Sequence, residues 1–73
     1  IDPWFPMTYD RDGACWVVHL DGRTYPLHCG EFLEIRNGDK GLPCRIELDR
    51  DWYVVMQAAR FYLRKKDSYY IHI

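Results

Sequence analysis

The chemistry open to this chain lies in three histidines, three cysteines and one run of cations among tyrosines. The densest block is Leu27-His28-Cys29-Gly30-Glu31. A thiolate beside an imidazole is a nucleophile with its base, and Glu31 would be the orienting group. That chemistry needs the two side chains within hydrogen-bond reach. Adjacent residues on an extended chain point to opposite faces. The block therefore reads as a turn that launches a strand. Gly30 makes the reversal, Cys29 packs inward near Cys44 as a small apolar side chain, and His28 bonds loop backbone.

Zinc is the second chemistry to weigh. Its candidate ligands are Cys15, His19, His28, Cys29, Cys44 and His72. Paired zinc ligands come close together in sequence, and no C-x-x-C or H-x3-H spacing occurs. Cys15 and His19 are four apart, which on a strand separates them along one face. We expect no catalytic residue, no metal and no cofactor.

The third chemistry is binding. Arg60, Arg64, Lys65 and Lys66 form the densest positive run, and Tyr62, Tyr69 and Tyr70 interleave with it. Bases stack on such rings while cations hold phosphates. The plainer reading is a solvated loop whose aromatics cover one end of the domain. The formal net charge is −1, from ten Lys and Arg against eleven Asp and Glu, which favours the plainer reading.

Seventy-three residues make one domain, near the lower size for an unaided core. At 48% hydrophobic and 16% aromatic, the composition is that of a folding chain. The odd cysteine count is a poor disulfide framework and points to reduced thiols in a cytoplasmic protein. No run is long enough to span a membrane, and no signal-peptide pattern appears. The opening Ile1-Asp2-Pro3 resembles the scar of a cleaved tag. Residues 1–6 are therefore expected to be tag-derived or flexible, and 7–73 to be the domain.

The elements that must position these residues are short strands. Residues 14–20 alternate, with Trp16, Val18 and Leu20 on one face. Asp21-Gly22 turns the chain into 23–27, where Pro26 marks an edge or a strand end. Residues 31–37, 42–49 and 52–56 follow, the last apolar on both faces and so expected at the centre. Residues 57–66 hold good helix formers and predict a short helical or irregular segment before a last strand, 68–73. The pattern predicts an all-β domain: a small antiparallel barrel of five to six strands, whose layout resembles the middle of an SH3-like barrel without the peptide-groove motifs of SH3 domains.

Leu27-His28-Cys29-Gly30-Glu31, then Arg45-Ile46-Glu47 and Trp52-Tyr53, resemble a small bacterial domain family of unknown function. Its members occur mainly in Gram-positive bacteria, often on mobile elements. The resemblance covers about residues 9–56 and implies a fold and a source but no activity. The expected function is a non-catalytic interaction or accessory module that binds another protein or itself. The alternative is nucleic-acid binding through Arg60, Tyr62, Arg64, Lys65, Lys66, Tyr69 and Tyr70. Neither a membrane nor a small-molecule substrate is expected.

Overall fold

The computed structural model describes residues 3–73. These form eight strands: β1 (Phe5–Asp10), β2 (Cys15–Leu20), β3 (Arg23–Pro26), β4 (Phe32–Asn37), β5 (Lys40–Leu48), β6 (Trp52–Met56), β7 (Ala59–Tyr62) and β8 (Tyr69–His72). They lie in one sheet in the order β3-β2-β1-β8-β4-β5-β6-β7, every pair antiparallel. Alternation assigns the inner face to Met7, Trp16, Val18, Leu33, Ile35, Cys44, Ile46, Trp52, Val54 and Ile71, all buried. The sheet coils until its halves share this core. The Trp52 indole N–H reaches across to donate to the Ala14 carbonyl at 3.2 Å.

The closed five-to-six-stranded barrel does not form. The sheet stays open, with β3 and β7 as its edges. Two strands escaped the sequence reading. Residues 1 and 2 of the segment expected to be tag-derived or flexible lie outside the described residues. Phe5 and Pro6 of that segment belong to β1, where Phe5 pairs with Ile71 and Pro6 with Tyr70. Met7, two residues on, is fully buried.

The expected helical segment is a hairpin arm instead. A two-residue loop, Gln57-Ala58, joins Met56 to its partner Ala59, and Gln57 takes a positive φ of 54°. Phe61 and Leu63 then alternate with Arg60 and Tyr62, a period of two that outweighs the helix propensity of Gln57-Ala58-Ala59-Arg60. This added strand displaces β6 from its expected central place. β6 is next to the edge, and β8 and β4 are the middle pair.

Prolines fall where ladders stop. The β1–β2 register begins at Met7↔Val18, one step past Pro6. The β5–β6 register begins at Arg45↔Val55, two steps past Pro43. A residue without an N–H fits such places because no partner carbonyl waits there.

Candidate functional site

The seven residues of the cation–tyrosine run do not gather into one patch. Arg60 and Tyr62 project from the outer face of β7, above β6. The Arg60 guanidinium carbon sits 4.6 Å from the centre of the Tyr53 ring, and the Tyr53 and Tyr62 ring centres are 5.4 Å apart. Arg64, Lys65 and Lys66 lie in the turn between β7 and β8, which the Asp67 N–H closes by donating to the Arg64 carbonyl at 2.9 Å. There Arg64 faces the Asp67 carboxylate at 3.6 Å, and Lys65 rests 5.0 Å from the centre of the Tyr9 ring. Tyr69 turns inward, edge-on to Trp16 and Phe61, and its hydroxyl accepts the Arg64 N–H at 2.9 Å. Tyr70 is exposed on the outer face of β8.

What the structure does gather is a free sheet edge. In an antiparallel ladder, alternate residues aim their N–H and C=O at one neighbour and the rest aim away. The Leu63 N–H donates to the Trp52 carbonyl at 3.0 Å, and the β6–β7 register pairs Tyr53 with Tyr62. Ala59, Phe61 and Leu63 therefore bond β6. The backbone groups of Arg60 and Tyr62 point outward to solvent, and all four residues of β7 are exposed. Beside this edge, Phe61 helps line an inner-face cleft of about 330 Å³, with Ile35, Leu42, Met56 and Tyr69.

The other edge carries the same phase with a different residue. The Leu27 N–H donates to the Trp16 carbonyl at 2.8 Å, and Tyr25 pairs with Val18. Thr24 and Pro26 thus face outward from β3, and Pro26 has no N–H to offer.

The His28-Cys29-Gly30-Glu31 block is a turn, as its residue types suggest. Gly30 takes a φ of 91°, in the region where a Cβ is costly. Its N–H donates to the Ile46 carbonyl at 2.8 Å, and the Ile46 N–H returns to the Glu31 carbonyl at 3.0 Å. The Glu31 carboxylate brackets the turn. It accepts the Tyr25 hydroxyl at 2.9 Å, the His28 backbone N–H, and faces the His28 ring nitrogen Nδ1 at 3.3 Å. The bond to Glu31 also raises the Tyr25 hydroxyl above its ordinary pKa.

The expected packing of Cys29 against Cys44 is wrong. Cys29 is exposed at the turn while Cys44 is buried in β5, because Gly30 reverses the chain after Cys29 has already turned to solvent. Burial pushes the Cys44 thiol up to about 11, which keeps it protonated and inert. Among the described residues no group of three or more His, Cys, Asp and Glu could hold a metal ion.

Two histidines work on the outer face. His19 Nε2 and Thr8 Oγ1 lie 2.7 Å apart across β2 and β1. The His72 ring stacks on Trp4 at 3.6 Å and approaches the Glu34 carboxylate at 3.6 Å. Arg36 lies on the same Trp4 ring at 5.9 Å. This cluster escaped the sequence reading because Trp4 stood in the discounted segment. The signal that could have found it is the alternation of Phe5, Met7 and Tyr9.

A small all-antiparallel domain built on one coiled sheet is the class this geometry defines. Residues 6–73 match the family described as a domain of unknown function (DUF5348), and the chain belongs to that family. It is similar to the crystal structure of a protein from Ruminococcus gnavus. The sequences are 26% identical over 97% of this chain and 100% of that one, with a TM-score of 0.80. No curated protein matches the chain.

Proposed function

We propose that this domain is a non-catalytic interaction module that takes up an extended segment of a protein partner along β7. The observation that carries the reading is the outward backbone of Arg60 and Tyr62 on a strand with no buried residue. An added strand continues the ladder, and its alternate side chains fall into the cleft beside Phe61 or onto the Tyr53–Tyr62 surface. Each backbone bond contributes a net ~0.5–1.5 kcal/mol, so two residues' worth does not hold a partner alone. The cleft supplies both the remaining affinity and the selectivity, and favours an apolar side chain opposite Phe61.

A catalytic reading lacks a constellation. His19 touches a hydroxyl at Thr8, yet no carboxylate orients its ring among the described residues, as a nucleophile's base requires. Nucleic-acid binding is the weaker alternative. Arg60 and Lys65 already rest on Tyr53 and Tyr9, Arg64 faces Asp67, and the tyrosines lie on different faces. Such a scatter is not a track of stacking platforms. The Leu27–Glu31 block supports a bacterial, mobile-element source, and the reduced thiols a cytoplasmic setting.

Selection from a displayed library of linear peptides, followed by NMR titration, tests the proposal. Selected peptides should shift the Arg60 and Tyr62 amides and lose binding in Tyr62→Pro. The proposal fails if peptides leave these amides unmoved while a labelled oligonucleotide binds in a salt-sensitive way, weakened ~1–3 kcal/mol by Tyr62→Ala or Tyr70→Ala.

A further inference from the structure

We propose that the occupant of the β7 edge is a second copy of this chain, joined strand to strand about a two-fold axis through Phe61. This rests on the reading of β7 as a docking edge and names its partner.

The residues that face outward, Arg60 and Tyr62, flank Phe61 symmetrically. Place two copies antiparallel with Phe61 opposite Phe61. Arg60 of each then stands opposite Tyr62 of the other, and these are the residues whose backbone groups are free. Both N–H and both C=O groups of each strand are satisfied at once, as hydrogen-bonded pairs. Phe61 and its copy become the intervening pair without hydrogen bonds, where side chains approach more closely. They meet on the inner face, beside the cleft each copy lines with Ile35, Leu42 and Met56.

Charge selects this register over its neighbours. A slip that centres on Arg60 sets two guanidinium groups face to face. A slip that centres on Tyr62 sets Arg60 opposite Arg64. Like charges directly opposite one another oppose pairing. Only the register centred on Phe61 gives each Arg60 an aromatic partner, Tyr62 of the other copy, beside the Tyr53 ring on which it already rests. The formal net charge of −1 leaves little repulsion between copies. The ladder is short, so the dimer forms with rising concentration and is not obligate.

Disulfide trapping tests the register in a Cys29→Ser background, because Cys29 is exposed and would cross-link on its own. Phe61→Cys brings two thiols to the closely spaced pair, whereas Tyr62→Cys places each thiol opposite Arg60. Under mild oxidation, Phe61→Cys should yield covalent dimer roughly tenfold faster than Tyr62→Cys. In sedimentation equilibrium from micromolar to millimolar concentration, the parent should shift from monomer to dimer. Tyr62→Pro should stay monomeric, and Tyr62→Glu should dimerise more tightly at low salt by facing Arg60. Equal trapping at both positions, or a parent monomeric throughout, overturns the proposal. If peptides still move the Arg60 and Tyr62 amides of such a monomer, the edge remains a docking site for another protein. If they do not, the docking reading falls as well.

Discussion

The two edges of this sheet share a phase and differ in one residue type. On β3 the outward positions are Thr24 and Pro26, and on β7 they are Arg60 and Tyr62. Proline at the outer position of β3 deletes a donor from that edge without touching the ladder to β2, because Arg23, Tyr25 and Leu27 make those bonds. β7 keeps its full complement of outward groups. Edge exposure invites pairing with other chains, and proline is one of the devices that blunt it. The contrast teaches that exposure alone does not mark a docking strand. The parity of its residues decides what the strand can offer.

Both edges hang on one core, and the largest effects come from breaking it. Trp16 in β2 and Trp52 in β6 are both buried. Truncating either to alanine should cost ~3–5 kcal/mol in a urea melt. For a domain of this size that leaves little folded protein. The finer comparison uses phenylalanine. Trp52 donates its indole N–H to the Ala14 carbonyl, whereas the buried Trp16 indole N–H has no partner among the described residues. Trp52→Phe should therefore be the costlier of the two, by ~1–2 kcal/mol. Equal losses would mean that the bond between the halves contributes nothing.

The turn that follows β3 comes next in size. Gly30→Ala should cost ~1–2 kcal/mol, through its positive φ alone, because among the described residues nothing lies within 4 Å of an added Cβ. A mutant as stable as the parent would show that the backbone there relaxes. Converting one edge into the other is smaller still. Tyr62→Pro should change stability by about 1 kcal/mol or less, since it removes no bond to β6, while abolishing association. Pro26→Val, which restores an outward N–H, should add association through the β3 edge, read by sedimentation. If neither exchange alters association, edge parity does not govern it.

The smallest effects concern the thiols. Cys29 should react with iodoacetamide in the folded protein, and Cys44 only on unfolding, as peptide mass spectrometry will show. A thiol whose pKa is raised by folding favours the folded state while it stays protonated. The contribution of Cys44 is therefore whole below its ordinary value of 9.0 and fades as pH climbs through about 11. Urea melts of Cys44→Ala should lack that alkaline component. An identical pH dependence in the two proteins would remove Cys44 as its source.

Alternation along the chain made β2, β4, β5 and β8 legible, because each carries apolar residues at a period of two against a buried face, and the β-branched and aromatic run Trp52–Met56 made β6 legible. β7 was not, since none of its four residues is buried and helix-forming residues precede it. β1 was hidden by the weight placed on a scar-like opening, although Phe5, Met7 and Tyr9 alternate as plainly as any. Closure into a barrel could not be read at all, because it depends on whether the two edge strands pair with each other, and here β8 joins β1 to β4 in the middle of the sheet while β3 and β7 stay unpaired at its edges. Of the candidate site, Arg60, Tyr62 and Tyr69 were noticed, for their charge and rings, whereas Phe61 and the cleft residues Ile35, Leu42 and Met56 were not. The part of Arg60 and Tyr62 in an edge follows from one long-range bond, Leu63 to Trp52, which no local pattern announces.

The proposed association also gives Pro26 a bearing on stoichiometry. A sheet with two open margins grows by addition at both ends into a fibre of indefinite length. Under the proposed pairing through β7, the margin that remains is one that lacks a donor at Pro26, so the proposed assembly is expected to end at two copies. Once β7 is occupied, the remaining margin of this chain is β3, where the missing Pro26 N–H disfavours a further strand. The same proline that ends a four-residue strand would thereby set the size of the proposed assembly.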